Sequence, residues 1–195
     1  DVYYSLISLF SLSESLSSKD LEMEFTSLHE EIRNSGLGIE FSRLLAKKKR
    51  SEIGNQVPVF TAMTEHNLPF HSDSLAGKPY LLAFGATWCL PCKEKLPLLR
   101  HLNEKFKGSG FRIVYGNLDE KTEKWKSQIH EDKMNWLNVA ENVTWEESKI
   151  AQIFNVTALP LYLIVDQKGI IIYNEFQLKD TGNSLLEQYI QKSIR

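Results

Sequence analysis

Cys89 and Cys92 are the only cysteines in 195 residues, and they stand in the segment Phe-Gly-Ala-Thr-Trp-Cys-Leu-Pro-Cys-Lys directly after the apolar run Tyr80 to Phe84. Two thiols separated by two residues at the start of a helix can close a small disulfide. The partial positive charge and free N–H groups of a helix N-terminus favour the thiolate of the first cysteine, which is the reactive form. Pro91 fits the first helical turn, where a missing N–H costs nothing, so a helix is predicted to begin here. The pair then sits at the C-terminal end of a buried strand, where open α/β sheets place their function.

Other uses of the pair fit less well. A structural zinc needs four ligands, and His29, His66, His71, His101 and His130 supply no paired spacing to complete the set. A c-type haem attachment requires His after the second cysteine, where this chain has Lys93. A purely structural disulfide stays open as an alternative, although so short a loop removes little unfolded-chain entropy. Redox chemistry is the leading reading, and no metal or separate cofactor is expected beside the dithiol.

With 42% hydrophobic residues the chain can bury an ordinary core. Twenty-three basic and 25 acidic residues give a formal charge of −2, so no broad cationic surface is available for phosphate backbones and nucleic acid is excluded as an expected partner. The run Lys47-Lys48-Lys49-Arg50 is read as the basic end of a helix, offsetting its dipole, rather than as a membrane contact. No stretch approaches the roughly 18 uninterrupted apolar residues of a membrane span. The start at Asp1, without initiator Met or signal peptide, reads as a mature or truncated portion of a longer product. Confining cysteine to one reactive pair suits an oxidising compartment, where stray thiols would mispair.

Residues 1–52 read as helices. Leu6, Leu9 and Phe10 share a face of the first. Leu21, Phe25, Leu28 and Ile32 repeat at helical spacing behind the N-cap candidate Ser18, with Gly36 ending that segment. Phe41, Leu44 and Leu45 mark a third piece, and these stripes are packing surfaces. From residue 53 to 195 the pattern becomes that of an α/β domain. Val57 to Thr61 looks extended, Asn67 to Phe70 can pair with it, and a strand follows at 80–84. A helix is predicted from Cys89 to Lys107, with Leu96, Leu99, Leu102 and Phe106 inward and a kink at Pro97. Next come a strand at 111–117, a helix at 122–132 with Trp125 and Ile129 inward, and a short strand at 136–140. Thr144 and Glu147 have capping-box spacing ahead of a helix carrying Ile150, Ile153 and Phe154. Asp166-Gln-Lys-Gly169 predicts a turn joining strands 161–165 and 170–174 into an antiparallel hairpin, and a helix at 184–192 closes the chain.

The segment around Cys89 and Cys92 resembles the active site of the thioredoxin superfamily. Pro97 falls where those proteins kink the same helix, and Ala158-Leu159-Pro160-Leu161-Tyr162-Leu163 resembles their cis-proline strand. The extra strand and helix between about 118 and 155, and the opening strand Gly54 to Phe60, resemble the TlpA/ResA-like branch. The helical lead is loosely similar to the segment that precedes the redox domain in such proteins from Bacteroidetes-like bacteria, often behind a further β-domain. The resemblance implies a thioredoxin-like fold, a central mixed β-sheet flanked by helices with the TlpA/ResA-type insertion, and a thiol-disulfide oxidoreductase. It implies Cys89 as the exposed nucleophile and Cys92 as the buried resolving thiol. Trp88 would shape the docking face. A cis Pro160 would face the cysteines and leave the Leu159 backbone free to pair with an extended substrate. The implied partners are client protein disulfides and an external thiol electron donor, a membrane thiol-disulfide transporter being one such donor, with the site periplasmic or membrane-anchored and facing the periplasm.

Two positions depart from that pattern. Thioredoxins carry a buried Asp where this chain has Ala83, and TlpA/ResA-like proteins put Glu where it has Lys95. Glu94 cannot inherit the role, because one step along a helix turns a side chain by about 100°. Lys95 lies one turn beyond Cys92, so Lys93 and Lys95 are expected to hold the thiols acidic in place of the missing acid. The Leu-Pro between the cysteines lacks the His of strongly oxidising relatives, which favours the reducing direction. A redox switch or partner-binding module with little turnover is the competing expectation. A peroxiredoxin-type peroxidase is opposed by Cys92, since its nucleophile normally has no partner two residues on.

Overall fold

The computed structural model of the protein describes residues 2–13, 15–180 and 182–195. In chain order its helices and strands are α1 (Val2–Leu12), α2 (Ser18–Ser27), α3 (Glu30–Arg33), α4 (Gly36–Arg50), β1 (Thr61–Thr64), β2 (Pro69–His71), β3 (Tyr80–Gly85), α5 (Leu90–Phe106) and β4 (Arg112–Asn117). They continue with α6 (Thr122–Glu131), β5 (Leu137–Ala140), α7 (Lys149–Ile153), β6 (Leu161–Val165), β7 (Ile171–Asn174), α8 (Glu175–Leu178) and α9 (Leu186–Ser193).

The seven strands form one mixed sheet in the order β2-β1-β5-β4-β3-β6-β7. The β3-β4 and β4-β5 pairs are parallel, as short helical crossovers require, and β6 runs antiparallel to β3. Every residue of β3 is buried, because both faces of the sheet are covered, and this is why Tyr80 to Phe84 reads as an unbroken apolar run rather than an alternating one. Leu82, Phe84, Val114, Leu163 and Phe154 fill one face. On the other, Leu81, Ala83, Ile113, Tyr115 and Tyr162 meet Leu96, Leu99 and Leu102 of α5 and Leu186 and Ile190 of α9. This mixed sheet between helical layers is the thioredoxin-like architecture that the resemblance implied, with α6, β5 and α7 as the additional strand and helices.

Several local expectations shift. Val57 to Thr61 is not a strand; the ladder starts at Thr61. Residues 54–57 instead cover the far edge of the sheet: the Gly54 N–H donates to the Ile171 carbonyl at 2.8 Å and the Val57 N–H to Gly169 at 2.8 Å. Pro58 has no N–H for a ladder, so the chain leaves that edge and crosses one face, burying Phe60, to reach β1 near the opposite edge. The hairpin turn is as predicted, with the Gly169 N–H donating to the Asp166 carbonyl at 3.0 Å and Gly169 at φ 79°. Ser17, not Ser18, caps α2, accepting from the Asp20 N–H. Gly36 opens α4 behind the cap Ser35 rather than ending a helix. Ser148, not Thr144, caps α7.

The helices α1 to α4 enclose their own cluster of Leu6, Leu9, Leu21, Phe25, Ile32, Phe41 and Leu45. Buried Glu52 joins this lead to the sheet side by accepting hydrogen bonds from the Ser18 N–H and hydroxyl, while the Asn174 amide donates to the Ser51 carbonyl at 2.8 Å. The basic run ends α4, where Lys49 pairs with Glu22 on the surface. Among the described residues no helix is long and apolar enough to cross a membrane.

Candidate active site

The cysteines sit where β3 hands over to α5. The Leu118 N–H donates to the Gly85 carbonyl at 2.9 Å, tying the end of β3 to the end of β4. Buried Asp119 then accepts from both the Thr87 N–H (2.8 Å) and the Thr87 hydroxyl (2.7 Å), which fixes the loop just before the first cysteine. Cys89 is the N-cap of α5 with extended backbone, and its Sγ accepts from the Cys92 N–H at 3.2 Å. That contact points a free helix N–H at the sulfur that would carry thiolate charge. The two sulfurs are joined, with Cα atoms 5.3 Å apart.

Cys89 is expected to be the exposed member of the pair, yet in the disulfide it is 5% exposed against 2% for Cys92. Ala86 is buried in one cluster with both cysteines and Leu159 packs against that cluster, so the bond lies in an apolar seat. The Leu159-Pro160 bond is cis, and both residues are half-buried. Trp88 is 59% exposed and stacks on Trp145, ring centroids 5.6 Å apart. Trp145 is itself held by its indole N–H, which donates to the Val156 carbonyl at 3.2 Å. With exposed Leu90 these side chains form an apolar rim beside Cys89.

The two lysines separate. Lys93 is exposed and lines an open groove of about 420 Å³ with Thr87 and Gln128, while Lys95 is half-buried. Its charge bears on Glu175, the first residue of α8. Glu175 is buried, accepts from the Asn183 amide at 3.1 Å, and has one carboxyl oxygen without a hydrogen-bond partner among the described residues. Burial raises its carboxyl from 4.5 to about 7, against the opposing pull of Asn183, Lys95 and the Tyr162 backbone N–H.

A native carboxyl that holds its proton more tightly than the unfolded chain stabilises the fold below pH 4.5 and loses that contribution as pH rises through about 7. Glu175→Gln keeps the bond from Asn183 and removes the titration. Relative to the parent chain, this variant is expected to gain about 1–2 kcal/mol between pH 5 and pH 8, allowing for solvent screening. Urea unfolding at the two pH values measures it, and a constant difference between the proteins contradicts it.

Asp119, Trp145, Tyr115 and Glu175 are the site neighbours that sequence reasoning misses. Each lies at least 23 residues beyond Cys92, and strand pairing and tertiary packing rather than sequence proximity bring it near. The continuous apolar run of β4 marks Tyr115 only as interior, with nothing to distinguish it from a core aromatic.

A thioredoxin-like family model matches residues 77–171. The chain is 26% identical over 152 residues to the thiol-disulfide oxidoreductase ResA of Bacillus cereus, spanning 78% of this chain and 84% of that one. It is 30% identical over 128 residues to the thiol:disulfide interchange protein DsbE of Xylella fastidiosa, spanning 61% and 58% of the two chains. Among solved structures, the thioredoxin domain of a thiol-disulfide oxidoreductase from Bacteroides vulgatus superposes with a TM-score of 0.62 at 26% identity, covering 71% of this chain and 98% of that domain.

Proposed function

We propose that this thiol-disulfide oxidoreductase, similar to a thioredoxin-like family model and to the ResA and DsbE proteins, is a protein-disulfide reductase that works through the Cys89/Cys92 pair outside the cytoplasm. The observation that carries this reading is Cys89 at the α5 N-cap, with a helix N–H on its sulfur and an apolar rim beside it. Once an external dithiol has reduced the pair, the Cys89 thiolate attacks one sulfur of a client disulfide. The other client sulfur leaves as a thiolate and takes up a proton. Cys92 then attacks Cys89 in the mixed disulfide, the 89–92 bond closes, and the second client sulfur is released reduced.

In this cycle Trp88 and the Leu159-Pro160 segment receive the client: Leu159 offers backbone to an extended segment while Trp88, braced by Trp145, offers an apolar surface. The redox-active disulfide is the only cofactor needed. Lys95 acts on the thiols through its charge, together with Glu175 behind it, and Lys93 acts from the exposed side. Residues 1–52 form a helical arm in front of the redox domain 53–195. Cysteine usage limited to one pair supports an oxidising compartment, periplasmic or facing the periplasm from an anchor. A membrane thiol-disulfide transporter is the kind of donor such a cycle needs.

Insulin reduction with dithiothreitol, together with equilibration against glutathione, tests the reading. Turnover well above dithiothreitol alone, with an equilibrium that favours the disulfide more than strongly oxidising relatives do, is the expected result. Turnover at the buffer rate, with a stable partner complex made through residues 1–52, replaces it by a redox-switch module.

A further inference from the structure

Ala83 stands in the middle of a row that crosses the sheet beneath α5. It pairs with Tyr115 on β4 and with Tyr162 on β6. Glu175 follows Asn174, the partner of Leu163, and so comes level with Tyr162 at the end of the row. The small residue at 83 thus leaves room for side chains that arrive from either side. Tyr115 takes the part of that space nearest the redox pair. A Cβ built on Gly85 would stand 1.9 Å from the Tyr115 hydroxyl and 3.4 Å from the Cys92 Cβ, so the hydroxyl and the second cysteine border the same small volume.

Tyr115 is 2% exposed, and its hydroxyl has no hydrogen-bond partner among the described residues. A buried phenol without a partner is costly, so a native structure that keeps one calls for a second state in which it is used. In the disulfide Cys92 Sγ carries no charge. On reduction it becomes a thiol or thiolate in the same enclosed space, where a charge-assisted hydrogen bond is strongest.

We propose that the Tyr115 hydroxyl donates a hydrogen bond to the Cys92 thiolate in the dithiol state, serving the second cysteine from the protein interior where the chain has no carboxylate at 83 or 95. The inference rests on the dithiol cycle described above. Burial, with lesser contributions from Asp119 and Asp132, drives the Tyr115 phenol well above its ordinary range, so it stays a donor and gives up no proton. The electron and proton count of the cycle is therefore unchanged. The external dithiol supplies two electrons to the 89–92 bond, and when Cys92 later attacks Cys89 the departing client sulfur takes its proton from water. The other ionisable groups on the elements packed around this space include Lys95 on α5, Tyr162 on β6, Tyr173 on β7 with its partner Asp180, and Glu175 on α8, and Asp119 holds Thr87 on the loop side.

Tyr115→Phe tests the assignment, because it keeps the ring and removes only an unpartnered hydroxyl. The variant is expected to shift the equilibrium with glutathione about tenfold toward the disulfide, which for a two-electron couple is about 30 mV. In a Cys89→Ser background, where Cys92 is the lone thiol, the same change should raise the Cys92 titration followed by its ¹³Cβ resonance. A merely structural role for Tyr115 would move neither quantity. An unchanged equilibrium and an unchanged titration in a folded variant overturn the proposal. If the variant does not fold, the parent chain decides: the Tyr115 ¹³Cζ resonance should shift on reduction of the pair, and its constancy overturns the proposal equally. No client enters these measurements, so a failure in insulin reduction leaves them standing and their failure leaves the reductase reading standing.

Discussion

Cys89→Ser lowers insulin reduction to the rate of dithiothreitol alone, an expected loss of at least about 10³-fold, while the fold persists. The reason is local. A serine hydroxyl at neutral pH is not a nucleophile toward disulfides, since only the thiolate attacks, but serine is among the best N-caps and its Oγ can accept from the Cys92 N–H as the sulfur does. The start of α5 and the tie between Thr87 and Asp119 therefore survive the change. Circular dichroism alongside the turbidity assay separates lost chemistry from lost structure. Retention of more than a small fraction of the parent rate would mean that Cys92, or no cysteine at all, begins the reaction.

The largest effect on stability is expected at the strand that delivers the pair. Phe84 is fully buried and heads a chain of aromatic contacts, 5.4 Å to Phe154 and from there 5.5 Å to Phe60. These rings bind β3 to the segment after α7 and to the crossing before β1. Phe84→Ala should cost about 3–5 kcal/mol, read as a lower urea midpoint with an unchanged slope. Its side chain faces away from α5, whereas Ala83 beside it lies under α5. The glutathione equilibrium of the folded variant should accordingly stay within about twofold of the parent, as for independent sites. A cost below about 1 kcal/mol would show that this face of the sheet is not the core described.

What the sequence reveals follows the range of the interactions involved. β3 and α5 are legible because an unbroken apolar run, a helix-compatible Pro91 and the spacing Leu96, Leu99, Leu102, Phe106 are all local signals that agree. The hairpin at 166–169 is legible because its turn is built from its own four residues. Capping is misread where a distant group intervenes. Ser18 looks like an N-cap, but its N–H and hydroxyl go to Glu52, 34 residues away, which leaves Ser17 to cap. Thr144 and Glu147 do meet, at 3.1 Å, yet Ser148 begins α7 because Glu141 accepts from its hydroxyl and from the Ile150 N–H.

The site divides along the same line. Cys89, Cys92 and the Leu159-Pro160 segment announce themselves by spacing and by resemblance. The absence of an acid at 83 and 95 is equally legible, but what stands there instead is not. Tyr115, Glu175 and Trp145 acquire their positions from strand pairing and tertiary packing, and no local pattern singles them out.

The assignment of Cys89 as attacking thiol and Cys92 as resolving thiol is tested most directly by trapping. Pre-reduced Cys92→Ser protein, freed of reductant and mixed with insulin, should accumulate a mixed disulfide that dithiothreitol releases and that mass spectrometry maps to residue 89. Pre-reduced Cys89→Ser protein, treated alike, should accumulate none. Equal or greater trapping by the Cys89→Ser protein would reverse the two roles.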